Sequence, residues 1–315
     1  MLGGTIMLEF SVVIATYKGA NRIGNVLERL RSQSQIESLS WEVLVVDNNS
    51  TDTTQEVVAT YASDFPVPLK YVFEAQQGAA FARSRGATEA NGDWIAFLDD
   101  DNLPNDDWLF QAAQFAQNRP HIGAFNGQIH GAYEVEPPAE VKDIAVYLAI
   151  VERGSKPHRY DRVLPPTAGL VVQRQVWLTH VPKRPALVGR TTSAMLGSED
   201  IEAILHIQNA GWEIWYNPNM HLDHQIPHWR LERSYLLKLV RGVGLARHHI
   251  RMIRWKAWQR PAIALIYLLH DLSKLLVFKL KHPNTERLSF ACEWELLVSS
   301  LISPFYLWHH KRHSA

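Results

Sequence analysis

The stretch Trp94-Ile95-Ala96-Phe97-Leu98-Asp99-Asp100-Asp101-Asn102-Leu103-Pro104 decides the fold. Its apolar run reads as a buried strand that delivers three carboxylates into one tight bend. Like charges this close repel and raise one another's pKa unless positive charge sits among them. A divalent cation with hard oxygen ligands is the simplest remedy, although an acidic turn in water is the commoner origin of such a triplet taken alone. The residues upstream shift that balance.

Glu9 to Ala15 is a β-branched run that reads as a buried parallel strand. Thr16-Tyr17-Lys18-Gly19-Ala20-Asn21 makes the turn, with Asn21 placed to cap an amphipathic helix carrying Ile23, Val26, Leu27 and Leu30. Trp41 to Val46 is the second strand, followed by Asp47 and by Ser50 or Thr51 as the cap of a helix reaching Tyr61. Leu69 to Phe73, a helix over Gly78 to Ala90, and Trp94 to Leu98 complete the alternation. Alternating strands and helices imply an α/β, doubly wound parallel sheet, whose ligands bind at the carboxyl ends of the strands. The polar residues gather at those ends: Thr16 and Tyr17, Asp47, and Asp99 to Asp101. The first turn lacks Gly-x-Gly-x-x-Gly and no P-loop occurs, which counts against an NAD enzyme.

With these pieces placed, the chain resembles the family 2 inverting glycosyltransferases of the GT-A fold. The resemblance rests on SVVIATYKGANRI, WEVLVVDNNSTD, GAAFARSRGA, GDWIAFLDDDNLP and GSEDIEAILHIQNAGWEIWYNPNMHLDH, in order across about residues 8 to 224. It implies a Rossmann-like, mostly parallel sheet flanked by helices, with a helical C-terminal extension. In the family's pattern Thr16 and Tyr17 line the nucleotide pocket, Asp47 faces the base, and Arg83 lies near base or diphosphate. Asp99-x-Asp101 is the DxD element, Asp100 is counted with the donor site, and Gly169 faces the donor sugar. Asp101, Asp99 and His224 are implied around Mn2+ or Mg2+, with His221 and His228 near enough to compete. Asp200 is implied as the general base, with Glu199 as second choice.

Physical chemistry is consistent with those roles. A strand-end carboxylate can accept from an imide N–H, and arginine offers a fork of donors to phosphate oxygens. A cation neutralises charge on a departing nucleotide, and an inverting transfer needs one carboxylate to take the acceptor's proton. Taken singly, Asp47 reads as a turn residue, Arg83 as a surface helix residue and Glu199-Asp200 as acids favoured at a helix start. Their joint placement carries the reading.

At 315 residues and 36.0 kDa the chain suggests roughly two domains or one with an extension. The expected division is residues 1–104 as the nucleotide-sugar half, 105–228 as the acceptor and catalytic half, and 229–315 as the extension. Cys292 is the single cysteine, which excludes an internal disulfide and points to a reducing compartment such as the cytosol. Met1 to Phe10 has no signal-peptide character.

The zero net charge is unevenly spread: from Trp229 to Ala315 there are 15 Lys plus Arg against 5 Asp plus Glu, about +10, leaving about −10 on the body. Three helices are expected there, over Trp229 to Ile250, Ile263 to Leu280 and Leu288 to Trp308. In the middle one His270, Asp271, Lys274 and Lys281 share a stripe, and such charges cost about 2.5–3.5 kcal/mol each at a bilayer centre, so spanning is disfavoured. The tail instead suits a helix lying on an anionic membrane surface at the cytosolic face, with packing on the body or on a second copy as the equal alternative. Nucleic acid is not an expected partner.

The expected function is metal-dependent, inverting transfer of a sugar from a nucleotide-diphosphate donor, UDP-linked, to a saccharide or lipid-linked saccharide hydroxyl. Processive synthases of the family that the chain resembles carry Gln-x-x-Arg-Trp after the base. The resemblance implies that its absence here, with the lack of multiple spans, favours one sugar per encounter. The alternatives are a nucleotide-sugar-binding scaffold or regulator without catalysis, and a nucleotidyl transferase.

Overall fold

The computed structural model describes residues 9–117, 119, 121–161, 163–189, 196–282 and 286–313. Most of the segment on which the signal-peptide reading rests lies outside them. Strands β1 (Phe10–Thr16), β2 (Trp41–Asp47), β3 (Leu69–Phe73) and β4 (Trp94–Asp99) pair in parallel in the order β3-β2-β1-β4. Every residue of β2 is buried, so both faces of the sheet must be covered; this is why its strands read as continuous apolar runs. The helices that cover it are α1 (Ile23–Arg31), α2 (Thr54–Ala62) and α3 (Ala79–Glu89). Helix α1 buries the expected stripe of Ile23, Val26, Leu27 and Leu30. Helix α3 lies close on β1: a Cβ on Gly86 would stand 2.3 Å from Val13 Cγ1.

Two helix starts differ from expectation. Arg22, not Asn21, holds the N-cap position of α1, and Thr53 that of α2, neither with a side-chain cap. The polar turn residues tie the two loops together instead. Ser50 Oγ accepts from Lys18 N at 2.8 Å, and Asp52 Oδ2 accepts from Ala20 N at 3.3 Å.

After β4 come β5 (Asn102–Pro104), α4 (Trp108–Gln117), β6 (Ile122–Tyr133) and a 3-10 segment (Ala139–Leu148). Then follow β7 (His158–Arg159), β8 (Val171–Gln173), α5 (Arg174–His180), α6 (Glu199–Asn209) and β9 (Glu213–Ile226). The full order is β3-β2-β1-β4-β8-β6-β9-β5, with β7 on β9. Strand β8 runs antiparallel to β4 and β6, whereas β9 runs parallel to β6, so most paired residues remain in parallel ladders. The sheet continues through residue 104; the two expected halves share it.

The extension begins with a 3-10 turn (His228–Leu231) and continues as α7 (Arg233–Ile253), α8 (Arg260–Lys281) and α9 (Leu288–His313). Helices α7 and α9 touch closely, since a Cβ on Gly244 would fall 1.9 Å from Ser299 Oγ. Helix α8 rides outside them. Its Asp271 faces inward to a two-oxygen pairing with Arg251, whereas His270, Lys274 and Lys281 are exposed, so the expected polar stripe is split. Leu265, Ile266, Leu269, Leu276 and Leu280 are all more than half exposed. Among the described residues α8 is the one helix long and apolar enough to cross a membrane, with a mean hydropathy of 1.6 over its most apolar stretch.

Candidate active site

The end of β4 carries the acid triplet, and each member has its own arginine. Asp99 Oδ1 accepts from Arg83 Nη2 at 2.7 Å. Asp100 is gripped by Arg22 through Nε at 3.0 Å and Nη2 at 2.9 Å, and accepts from the Thr16 hydroxyl at 2.7 Å. Asp101 Oδ2 lies 2.9 Å from Arg230 Nη1 and 3.5 Å from His224 Nε2. Burial opposes the Asp101 charge, but the charged and hydrogen-bonding groups around it, the Arg230 guanidinium among them, outweigh burial and hold the carboxyl well below the usual range.

Local pairing explains how His224 arrives there. Strand β5 follows the triplet at once and pairs antiparallel with β9, setting Asn102 opposite His224. Gln225 N donates to the Asp101 carbonyl at 2.9 Å. The competing histidines are engaged elsewhere: His221 Nδ1 with His130 Nε2 at 2.9 Å, and His228 with Glu134 at 2.9 Å.

The second acid pair opens α6. Ser198 precedes it with φ of 74°, a left-handed conformation costly for a residue with a Cβ, and so turns the chain sharply into the helix. Arg83, buried and carried by α3, donates through Nη1 to Glu199 Oε1 at 3.3 Å while its Nη2 holds Asp99. One guanidinium thus spans from the strand acids to the helix acids. Asp200 accepts the Ile201 N–H at 2.8 Å and has no ion pair among the described residues. Burial first, and Glu199 second, push its carboxyl up to about 6, against the pull of Arg83.

These groups line one cleft of about 1100 Å³. Thr16, Tyr17, Arg83, Asp99, Asp100, Asp101, Glu199, Asp200 and His224 all border it. Asp47 and Gly169 do not. Asp47 is buried at the end of β2, its oxygens accepting from Tyr71 Oη at 2.7 Å and Ser50 N at 2.9 Å, and neighbouring Asn48 reaches the cleft instead. Gly169 has φ of 68°, and a Cβ there would stand 2.5 Å from Leu222 Cδ2, so it serves a turn; Thr167 and Ala168 face the cleft. Pro165 and Pro166 border it too, within the region expected to shape acceptor binding.

Sequence reasoning missed Arg22 and Arg230, although the crowded triplet signalled that cations must be close. It also missed the wall from Val146 to Arg153 and the contribution of Tyr235, Leu239 and Val243, by which α7 helps to enclose the cleft.

For a divalent cation the donor chemistry fits at Asp101 and His224, a hard oxygen and an imidazole whose other nitrogen is spoken for by the Leu148 carbonyl at 2.9 Å. Among the described residues no three acidic, imidazole or thiol side chains converge as a metal shell. Asp99 is turned to Arg83 rather than to that pair, so Asp101 and His224 alone would leave most of a coordination sphere to other oxygens.

The model of glycosyl transferase family 2 matches residues 11–165. Over 99 residues the chain is 36% identical to a glycosyltransferase, AglE, of Haloferax volcanii, a match covering 31% of this chain and 32% of that one. Two solved structures are alike across nearly the whole chain. Mannosyltransferase PcManGT from Pyrobaculum calidifontis, in complex with GDP-Man and Mn2+, gives a TM-score of 0.60 at 19% identity, covering 96% of this chain and 88% of that one. Residues 1–349 of TarS from S. aureus, in complex with UDP, give 0.51 at 15% identity, covering 98% and 92%. At such identities the likeness speaks for the fold.

Proposed function

Given that the chain belongs to glycosyl transferase family 2 through residues 11–165, we propose that it moves a sugar from a nucleotide-diphosphate donor to a hydroxyl, with inversion, and that Asp200 is the base. The observation that carries this reading is Arg83, whose two nitrogens join Asp99 at the donor end to Glu199 beside Asp200 across one cleft. The donor's diphosphate lies at Asp99 and Asp101, with Thr16, Tyr17 and Asn48 around its nucleoside. UDP is the favoured nucleotide; TarS binds UDP, although PcManGT binds GDP-Man. Asp101 and His224 would hold Mn2+ or Mg2+, which would supply charge neutralisation as the diphosphate departs. Asp200, poised near neutral pH and beside the cleft, takes the acceptor proton as its oxygen attacks the anomeric carbon.

The acceptor is a saccharide or lipid-linked saccharide, and the protein works at the cytosolic face of an anionic membrane. Helix α8 supports this: its apolar residues face outward, and Arg254, Lys256, Arg260, Lys274, Lys279 and Lys281 flank them. Helix α8 packs on α9 and α7, which supports a helix lying along the membrane surface.

The experiment is a thermal-shift screen of UDP- and GDP-sugars with and without Mn2+, followed by detection of released nucleoside diphosphate with candidate acceptors. Stabilisation by a UDP-sugar and its turnover are expected. Binding without turnover on any acceptor favours the scaffold reading. Cosedimentation with vesicles rich in phosphatidylglycerol, and its loss in Leu269→Asp/Leu276→Asp, checks the membrane face.

A further inference from the structure

Asp101 Oδ2 and His224 Nε2 stand 3.5 Å apart, and both side chains are nearly buried. The Leu148 carbonyl, 2.9 Å from His224 Nδ1, fixes the proton on that nitrogen and leaves the Nε2 lone pair facing Asp101. The two lone-pair donors therefore define a cation position between them. Arg230 fills it: its Nη1 lies 2.9 Å from Asp101 Oδ2 and 3.0 Å from His224 Nε2.

The manner of filling differs from that of a structural clamp. Arg22 holds Asp100 through two nitrogens, and Arg251 holds Asp271 likewise. Arg230 brings a single nitrogen to both of its partners, and its Nε is buried without a hydrogen-bond partner. It is carried by the 3-10 turn His228–Leu231, between the last strand and the helical extension. A guanidinium and a divalent ion cannot share a position a few ångströms wide, since their repulsion in a half-enclosed cleft is strong.

We propose that Arg230 is the resident cation of the Asp101–His224 position and competes there with a divalent metal, so that metal binds only as the Arg230 guanidinium withdraws. The inference rests on the proposed donor site for the identity of the metal position. Withdrawal frees one unit of positive charge beside the bound ion and tunes metal affinity downward until a polyanionic ligand arrives to balance both.

The test uses Mn2+ alone with the full chain and no donor, reading free aquo ion by electron paramagnetic resonance. Arg230→Gln is expected to bind Mn2+ about tenfold more tightly than the unaltered chain, and Asp101→Asn placed on that background to abolish the gain. Arg230→Lys keeps the charge on a single ammonium that lacks the planar reach to both partners, and is expected to gain about threefold. Equal or weaker binding by both Arg230 variants overturns the proposal, as does a gain that survives Asp101→Asn. Since neither donor nor acceptor takes part, these outcomes are independent of whether the chain transfers sugars.

Discussion

The acids that close β4 and the acids that open α6 are the same chemistry in opposite electrostatic settings. Asp99, Asp100 and Asp101 each face an arginine, whereas Glu199 borrows a share of Arg83 and Asp200 has no cation of its own among the described residues. Asp101 is held well below the usual carboxylate range by the charges around it, whereas burial lifts Asp200 to about 6, where it can exchange a proton. Asp100 is lifted as well, by burial and by Asp101, but Arg22 grips both of its oxygens and Asp200 has no such clamp. The proposed division into anchors and base rests on this contrast in partners.

The sharpest way to break the comparison is Asp200→Asn. Turnover should fall by about 10²–10⁴-fold while nucleotide affinity stays within a factor of about two, read by nucleoside diphosphate release and by calorimetry. Survival of turnover would move the base to Glu199. Next in size, Arg22→Met leaves Asp100 buried without its partner and should cost about 3 kcal/mol in urea unfolding, with the loss reduced when Asp100→Asn is added.

Smaller effects sharpen the contrast through pH. With the Asp200 carboxyl near 6, the rate should fall tenfold per pH unit on the acid side of about pH 6, and Asp200→Asn should abolish that limb along with the activity. Stability moves the other way. A carboxyl raised in the folded state contributes most below its unfolded value of about 4, and loses that contribution as pH rises through about 6. Asp200→Asn should therefore be more stable than the unaltered chain at pH 7.5 by about 1–2 kcal/mol, with the difference vanishing toward pH 4. Parallel melting curves of the two proteins check this.

Much of the sheet was legible because strands buried on both faces must be continuous and β-branched, as FSVVIAT and WEVLVVD are. The pairings of β8 and β9 were not: a strand as short as Val171–Gln173 carries no periodicity of its own, and β9 pairs with β5 and β6, far away in the chain. The acids were legible as types, and so was their need for positive charge. Which cations answer that need was hidden: Arg22 lies on a helix start 78 residues from Asp100, and Arg230 in a turn that reads as the beginning of the basic tail. Asp47 and Gly169 stand outside the cleft lining for one reason, that a strand end or a loop can point a polar or small residue at its own turn as easily as into a cavity.

Arg83 has a kinetic corollary. Since a single guanidinium serves Asp99 and Glu199, a diphosphate that draws it toward the first slackens its hold on the second. Glu199 would then loosen beside Asp200, the proposed base, only after the nucleotide has docked. On the proposed function the side chain would act as a turnstile, and product-inhibition patterns should then show an obligatory queue, donor ahead of acceptor, that Arg83→Lys converts to random entry.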